Sequence, residues 1–362
     1  MSTTSIRPPA DLRAAHSELL AEKPRLRQRD AAAALGVPEA ELVAQGCGVA
    51  AVRLDSDWPA LFAGLEGVGR VMALTRNEHA VLEVQGTYEG VSFRGPMGLV
   101  HGADIDLRLF PERFGSAFAV GAPGRAGDRA SIQLFDRQGL AVHKVHALPE
   151  TDTEAWSHLV TERTERTERN PTPSAVCEPA APARGEQPDS AVDVPGLRTA
   201  WAGLKDTHDF YGLLGRFRVT RTQALRLADP SFVQPVACAA VQRVLTSASQ
   251  STLPIMLFVG NTGAIQIRTG PVQRIVAADG WLNVLDPGFN LHLHEAGLAN
   301  AWRVVKPTTD GPVSALEVYD AAGELLLQIF GRRKPGTPED PAWTALAATL
   351  PEILPASAPA RR

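Results

Sequence analysis

The feature that most constrains the fold of this chain is an internal repeat. When the numbering is shifted by 184, residues Leu74–Gly139 align without gaps with Phe258–Gly323 and give 12 identities over 66 positions. Two unrelated segments of this composition would share roughly four identities. Asn77 and Asn261 are one of the identical pairs. The chain is therefore predicted to contain two tandem copies of one folding unit.

A change in composition separates the two copies. Residues 170–195 are rich in Pro, Ala and small polar residues and have no hydrophobic period, which is typical of a linker that does not order itself. A chain of 362 residues is long enough for about two domains. We predict an N-terminal repeat unit over residues 1–169, a Pro/Ala-rich linker over 170–195 and a C-terminal repeat unit over 196–362.

Each copy combines flanking helices with short strands. Two segments that place a short Gly-containing turn between apolar runs are predicted to be hairpins, at residues 132–145 and 315–330. Alternating apolar residues predict further strands at 280–287 and 289–294. Helices are predicted at residues 10–22, 28–35, 38–45, 197–214 and 220–227. Runs of helix followed by antiparallel strands predict an α+β fold, a tandem duplication of a unit with a large antiparallel β-sheet flanked by α-helices.

The composition argues against several classes of protein. Lys and Arg total 36 and Asp and Glu total 40, so the net charge of −4 lacks the basic excess of most nucleic-acid-binding proteins. Cys47, Cys177 and Cys238 are far apart, which disfavours a disulfide framework or a zinc-thiolate site. The sequence contains no apolar run of 18 residues, so no transmembrane segment is predicted. We expect a cytoplasmic protein with reduced thiols.

Among the nine histidines, His208 has the most informative surroundings. The HExxH, GxSxG, GxGxxG and P-loop motifs are absent from the sequence. Leu204, His208 and Tyr211 recur at helical spacing, so His208 is predicted to lie on the apolar stripe of a helix. Two interpretations follow: a core histidine bonded to a backbone carbonyl, or an axial ligand of a metal such as haem iron.

Two other groups of residues could bind ligands. His292 and His294 are two positions apart on a predicted strand and face the same side, a spacing that can chelate a metal. The alternative is a pair of polar residues on a solvated face, and no mononuclear iron site is predicted there. Four cations are each typical of a surface but together could clamp two carboxylates: Arg108, Lys306, Arg332 and Arg333.

Several long stretches carry a resemblance to a known family. They are Arg76-Asn-Glu-His-Ala-Val, Ile105-Asp-Leu-Arg-Leu-Phe, Asp206-Thr-His-Asp-Phe-Tyr, Phe258-Val-Gly-Asn-Thr-Gly, Gly280-Trp-Leu-Asn-Val-Leu-Asp-Pro, Phe289-Asn-Leu-His-Leu and Lys306-Pro-Thr-Thr-Asp-Gly. In these stretches the chain resembles the bacterial haemin-degrading factors, the HemS/ChuS/HmuS proteins. The resemblance runs along almost the whole chain, and the duplication in that family agrees with the repeat.

The resemblance implies a haem site and assigns residues to it. The axial histidine of the family falls on His208, which would ligate the iron, and the distal arginine falls on Arg108, which would take a catalytic role. The basic residues on the propionate side fall on Lys306 and Arg333. The remaining pocket residues are Phe110, Phe258, Gln328 and Phe330.

The resemblance also implies a function downstream of haem import. One hypothesis is an enzyme that opens the haem ring by oxidation, with O₂ or peroxide and an external electron donor, and releases iron for iron acquisition. The alternative is a non-enzymatic carrier or store that passes haem to other proteins. Expected partners are haem, the cytoplasmic side of a haem ABC importer and a reductase. A third hypothesis is a duplicated α+β domain without haem.

Overall fold

The structure of the chain is a computed structural model, which describes residues 9–121, 130–165, 177–179, 185–334 and 336–350. The chain divides into two units, and each unit contains a short segment from the other half of the sequence. Unit 1 consists of residues 1–76, 83–181 and 260–266. Unit 2 consists of residues 77–82, 182–259 and 267–362.

The elements of the N-terminal half, in chain order, are α1 (Pro9–Glu22), α2 (Gln28–Leu35), α3 (Glu39–Ala44), β1 (Ala51–Leu54), α4 (Trp58–Leu65), β2 (Gly69–Arg76), β3 (Ala80–Gly86), β4 (Ser92–Arg94), β5 (Met97–His101), β6 (Asp106–Leu109), β7 (Phe114–Val120), β8 (Ser131–Asp136), β9 (Ala141–Thr151) and α5 (Thr153–Arg163). The N-terminal helices and the β8–β9 hairpin lie where the sequence predicts them.

The elements of the C-terminal half follow the same order. They are α6 (Val194–Ala202), α7 (Asp209–Phe217), α8 (Arg221–Leu227), β10 (Val233–Val236), α9 (Ala240–Ser251), β11 (Ile255–Gly260), β12 (Ala264–Gly270), β13 (Ile275–Ala278), β14 (Trp281–Asp286), β15 (Phe289–His294), β16 (Asn300–Lys306), β17 (Val313–Tyr319), β18 (Leu325–Gly331) and α10 (Pro341–Ala348).

The strand order confirms the duplicated α+β fold. Unit 1 contains an antiparallel run of strands in the order β1-β7-β8-β9-β2, and unit 2 contains the corresponding run β10-β16-β17-β18-β11. Each unit also has a three-stranded antiparallel meander, β4-β5-β6 in unit 1 and β13-β14-β15 in unit 2. Every strand of the second copy thus occupies the place of its counterpart in the first.

Helices α6, α7 and α8 cover one face of the sheet in unit 2. The indole of Trp201 and the ring of Phe210 are buried in a cluster that also contains Val304 of β16 and Tyr319 of β17. The indole N–H of Trp201 donates to the backbone oxygen of Val305 at 3.0 Å. Because alternate residues of a strand share a face, the helices cover every second side chain of β16 and β17, those on the same face as Val304 and Tyr319.

The sequence prediction of one helix over residues 197–214 is wrong, because the helix is broken. Residues 203–208 form a loop between α6 and α7. In this loop the carboxylate of Asp209 accepts hydrogen bonds from the backbone N–H groups of Asp206, at 3.0 Å, and Lys205, at 3.4 Å. Side-chain bonds of this kind compete with helical hydrogen bonds. The break makes His208 the N-cap residue of α7.

The predicted linker over residues 170–195 also differs from the structure. Residues 170–176 and 180–184 lie outside the described residues. Residues 186–189, in contrast, are hydrogen-bonded to side chains of α8, and α6 begins before the predicted linker ends. The C-terminal part of this segment therefore belongs to the fold of unit 2.

No helix in the described ranges has the length and apolar character that a membrane span needs.

The identity of Asn261 with Asn77 has a structural reason. The amide of Asn261 donates to the backbone oxygens of Arg76 and Val142, both at 2.8 Å, and its oxygen accepts from two backbone N–H groups of its own turn. Asn77 makes the same turn bonds and donates to the backbone oxygen of Leu326 at 2.8 Å. Leu326 is 184 positions after Val142, so the two bonds are equivalent. Each asparagine closes a turn and binds a neighbouring strand.

We predict that Asn261→Asp destabilises the protein by about 1–3 kcal/mol, because it removes both N–H donors and leaves two backbone oxygens facing a carboxylate. Chemical denaturation monitored by circular dichroism measures this free energy. The matched control is Asn300→Asp on an exposed position of β16, which we expect to change stability by less than about 0.5 kcal/mol. Equal unfolding midpoints for the two variants would contradict the assignment.

Candidate functional site

The imidazole of His208 is open to solvent at the start of α7. Its side chain is 89% exposed, and its ring Nδ1 lies 2.5 Å from the Oδ1 atom of Asp206. The same carboxylate oxygen accepts the backbone N–H of His208 at 2.8 Å. One carboxylate therefore holds both the backbone and the ring of the histidine.

The exposure of His208 corrects the prediction that it lies on the apolar stripe of a helix. The buried residues of α7 are Phe210 and Leu213, and these form the stripe that packs on the sheet. His208 is the N-cap residue just before α7, and its exposed imidazole is not part of that stripe. The interpretation of a core histidine bonded to a backbone carbonyl is wrong for the same reason.

The pairing of His208 with Asp206 leaves one ring nitrogen for a ligand. An ionised carboxylate can only accept hydrogen bonds, so Nδ1 of His208 carries a proton. In the neutral imidazole, Nε2 is then the nitrogen with the lone pair. Hydrogen bonds from the backbone N–H and then the ring of His208, together with the nearby positive charge of Arg333, lower the pKa of Asp206 below its ordinary value. The carboxylate is therefore ionised at neutral pH.

Several predicted pocket residues share one face of the sheet in unit 2. Phe258 of β11 lies directly opposite Gln328 of β18, and Phe330 follows two positions later on the same face. The rings of Phe258 and Phe330 are 5.0 Å apart and meet edge to face at 62°. These three side chains are half-buried, so they offer an aromatic surface that is not fully covered.

A buried ion cluster lies next to these residues on the same face. The carboxylate of Glu317 on β17 is fully buried and accepts from Arg221 at 2.6 and 3.0 Å, from Lys306 at 3.0 Å and from the amide of Gln328 at 2.9 Å. The Tyr319 hydroxyl also donates to it. Two cations thus surround one carboxylate, and the cluster of these three charged groups has a net charge of +1.

The pKa values in the cluster follow from burial and charge. Burial alone would raise the pKa of Glu317, but the charges of Arg221 and Lys306 outweigh burial and hold this pKa well below its ordinary value. Burial lowers the pKa of Lys306, and the charge of Glu317 opposes this effect. The carboxylate is therefore ionised in the folded protein down to low pH.

The ion cluster also fixes the helix that carries His208. The ammonium of Lys306 lies 4.5 Å from the ring centroid of Phe210, and the guanidinium of Arg221 lies 5.1 Å from the same ring. Trp201 of α6 meets Phe210 edge to face at 4.9 Å. Cation–π and aromatic contacts thus hold α7 against the sheet two residues after His208.

The structure places the two predicted propionate residues differently. Lys306 is 4% exposed and paired with Glu317, so a propionate would have to compete with a buried carboxylate for its charge. Arg333 follows the end of β18, is partly exposed and acts electrostatically on Asp206. Of the two, Arg333 is the cation that solvent can reach near His208.

Arg108 and Phe110 belong to unit 1. Arg108 lies on β6 and forms an ion pair with Asp106 two positions earlier on the same strand. Its guanidinium also donates to the backbone oxygen of Leu107 at 3.1 Å. Phe110 follows β6, is partly buried and donates its backbone N–H to Gly263 at 2.8 Å. The guanidinium of Arg108 is about one-third exposed and retains N–H groups that can donate further.

Other histidines are less suited to bind a metal. His143 is buried, its Nδ1 contacts Thr75 at 2.8 Å and its Nε2 contacts Tyr88 at 2.6 Å, and burial lowers its pKa to about 3. His292 uses Nδ1 to bond Asn283 at 2.7 Å. In the described part of the chain, no three His, Cys, Asp or Glu side chains form a group that could hold a metal ion.

Sequence reasoning did not single out Asp206, Glu317 or Arg221. Asp206 was visible two residues before His208 in Asp206-Thr-His-Asp, a spacing that allows a carboxylate to reach the backbone and ring of the histidine. Glu317 and Arg221 gave no such signal, because 96 positions separate them in the sequence.

Comparisons with known proteins agree with this fold and its duplication. A family model described as a haemin-degrading HemS.ChuX domain matches residues 36–162 and again residues 218–350. The haemin transport protein HmuS of Yersinia pestis is 40% identical over 337 residues, which cover 91% of this chain and 94% of that protein.

Two solved structures are similar over nearly the whole chain. Holo-PhuS, a haem-binding protein from Pseudomonas aeruginosa, has a TM-score of 0.91 at 46% identity and covers 96% of this chain and 100% of that chain. ChuS, a haem oxygenase of E. coli, has a TM-score of 0.84 at 35% identity and covers 94% of this chain and 99% of that chain.

The duplicated unit and the match in both halves define a class of proteins, those that bind or use haem with two tandem HemS/ChuX domains. The chain belongs to the haemin-degrading HemS family.

We predict that Glu317→Gln costs about 3–5 kcal/mol of stability, because it leaves two cations buried without a counter-charge. The control Lys306→Met keeps the pair of Glu317 with Arg221 and replaces the ammonium by an apolar group of similar length. We expect it to cost less than about 2 kcal/mol. Denaturant unfolding at pH 7 measures both values, and an equal loss in the two variants would show that the carboxylate does not hold the cluster together.

The pH dependence of unfolding gives a second readout of Glu317. Its pKa is lowered in the folded protein, so its contribution to stability is complete above the ordinary carboxyl pKa and is lost as the pH falls below that value. Glu317→Gln should therefore show a smaller loss of stability between pH 6 and pH 3 than the wild type.

Proposed function

We propose that this protein binds haem in unit 2 and that His208 is the axial ligand of the iron. The observation that carries this proposal is the exposed imidazole whose Nδ1 is bound to Asp206, so that Nε2 is the ring nitrogen not held by this carboxylate. Haem iron accepts a neutral imidazole nitrogen of this kind. PhuS, at 46% identity, is named a haem-binding protein, which supports the proposal.

The other predicted pocket residues of unit 2 suit a flat, dianionic ligand. The half-buried rings of Phe258 and Phe330 provide apolar area for a porphyrin, and Gln328 lies between them and the ion cluster. We propose that Arg333 pairs with a propionate, because guanidinium groups bind carboxylates well. Lys306 remains a predicted propionate contact, but the ammonium would have to leave Glu317 to bind a propionate directly. While it stays paired with Glu317, it adds positive charge next to the ligand.

We further propose that the protein degrades the haem it binds. In the first hydroxylation, one O₂ takes up two electrons and two protons. One oxygen atom enters a carbon–hydrogen bond of the porphyrin and the other leaves as water. The electrons come from a reductase or from ascorbate. We propose Arg108 as the catalytic residue, because its guanidinium retains N–H groups that would stabilise negative charge developing on oxygen. ChuS, at 35% identity, is named a haem oxygenase, which supports this activity.

A carrier is the second candidate, and one observation favours it. The relative with 40% identity is named a haemin transport protein, and an imidazole on an exposed loop can release its ligand to an acceptor without unfolding the core. Reduction of the haem complex under O₂ separates the candidates. Loss of the Soret band with release of iron indicates the enzyme, and intact haem recovered on an apo-acceptor indicates the carrier.

The proposal places the protein in the cytoplasm, where it receives haem from a haem ABC importer. Cys47, Cys177 and Cys238 are all unpaired thiols, which suits a reducing compartment.

His208→Ala should weaken haem binding by at least about tenfold and shift the Soret maximum, because the iron loses its protein ligand. Haem titration with absorption spectra measures both changes. The matched control is His158→Ala, because His158 is also exposed and lies 3.5 Å from the carboxylate of Glu162. An unchanged spectrum in His208→Ala would remove it as the ligand.

Arg108→Ala should leave haem affinity within about threefold of wild type and slow haem degradation about 100-fold, because the lost donor acts on developing charge. Single-turnover decay of the Soret band with a reductase measures the rate. Arg137→Ala, which breaks another ion pair of unit 1, serves as the control. A rate equal to that of the control would refute the role of Arg108.

A further inference from the structure

We propose that Asp206 is a positioning residue that fixes the tautomer of His208 and makes its imidazole a stronger ligand for ferric than for ferrous haem. This inference rests on the proposed function, because it assumes that His208 binds the iron. It assigns a role to a carboxylate outside the predicted set of site residues.

The geometry of the loop fixes the carboxylate before any ligand is present. Oδ1 of Asp206 accepts both the backbone N–H of His208, at 2.8 Å, and the ring Nδ1, at 2.5 Å. Asp209 accepts the backbone N–H of Asp206 at 3.0 Å and so holds the start of the loop. The backbone of His208 is thereby tied to the same oxygen that its ring must contact, and the imidazole has little freedom to rotate.

The bond to Asp206 decides which nitrogen is available. The neutral side chain of a histidine in water prefers to carry its proton on Nε2, which would block that nitrogen as a ligand. Because the carboxylate accepts only, it holds a proton on Nδ1 of His208, so the neutral imidazole has its lone pair on Nε2. The protein therefore presents a ligand that does not need to change tautomer when iron binds.

The same bond changes the electronic character of the ligand. A carboxylate that accepts the Nδ1 proton increases the electron density on the ring and raises the basicity of Nε2. The ferric ion carries one more positive charge than the ferrous ion, so it gains more from this density. Hydrogen bonding to an axial ligand is one of the means by which a protein sets the haem reduction potential. Asp206 should therefore lower that potential.

The carboxylate–imidazole pair is specific to the second copy of the repeat. In the order of elements, residues 23–27 join α1 to α2 in unit 1 as residues 203–208 join α6 to α7 in unit 2, and they read Lys-Pro-Arg-Leu-Arg. They contain neither a histidine nor a carboxylate. The pair is therefore not part of the scaffold that both copies share, which is expected of a device that serves a ligand.

The test compares Asp206→Asn with wild type in two states. In the haem-free protein, nitrogen NMR of the side chain should show Nδ1–H for His208 in wild type and a larger population of Nε2–H in Asp206→Asn. In the haem complex, the variant should lose about 10–100-fold in affinity for ferric haem. Its loss for ferrous haem should be smaller. For each tenfold by which the loss of affinity for ferric haem exceeds the loss for ferrous haem, the midpoint potential of the variant should rise by about 59 mV.

Two further variants separate this role from support of the fold. Asp229→Asn is the matched control, because Oδ1 of Asp229 accepts the backbone N–H and side chain of Ser231 in the same arrangement, at 2.9 and 2.7 Å. It should leave the potential unchanged. Asp206→Glu retains the anion, so its midpoint potential should lie between that of wild type and that of Asp206→Asn. Thermal melts show whether each variant folds.

The outcomes distinguish this inference from the proposed function. If His208→Ala alters the haem spectrum but Asp206→Asn has the wild-type potential and iron–histidine stretching frequency, the inference about Asp206 is wrong and the ligand assignment stands. If His208→Ala leaves the haem spectrum unchanged, both are wrong. A raised potential in Asp206→Asn, with Asp229→Asn at the wild-type value, supports the inference.

Discussion

The carboxylate of Glu317, buried between two cations, is the interaction on which the candidate site depends. It is the counter-charge of Arg221, the first residue of α8, where the helix dipole disfavours a cation, and of Lys306 at the end of β16. Both cations also lie over the ring of Phe210. The same carboxylate therefore helps to hold α7 on the sheet. The position of His208, two residues before Phe210, thus depends on the buried charge of Glu317.

Unit 1 uses buried ion pairing at the equivalent place with the signs exchanged. Shifted by 184, Gln133 corresponds to Glu317 and Lys144 corresponds to Gln328, and in each unit the two residues lie opposite each other on neighbouring strands. In unit 1 the charged strand residue is the cation Lys144. Its ammonium lies 2.5 Å from a carboxylate oxygen of Glu39, at the start of α3. The duplication thus kept a charged contact between helix and sheet, while the two copies diverged in which element carries which charge.

Much of the fold could be predicted from the sequence because its signals are local. The hairpins show apolar runs on both sides of a short turn, and the repeat fixes the order of the remaining strands. The break before α7 could not be predicted, because it depends on whether the carboxylate of Asp209 or the helix takes the backbone N–H groups. The burial of Lys306 could not be predicted either, because Val304-Val-Lys-Pro resembles a strand end at the surface. The partners of this lysine are Glu317, 11 positions later on β17, and the ring of Phe210 on α7, and neither is marked by a local sequence pattern.

The proposed site has an open, oriented imidazole on α7 and, on the sheet of the same unit, two half-buried aromatic rings next to a cluster with net positive charge. These are the demands of a flat macrocycle with a metal centre and two carboxylates. The most direct test is diffraction from crystals of the haem complex, with anomalous data collected at the iron absorption edge. We expect an iron atom within bonding distance of Nε2 of His208, with Nδ1 still bound to Asp206. Iron bonded to a different side chain, or to Nδ1, would contradict it.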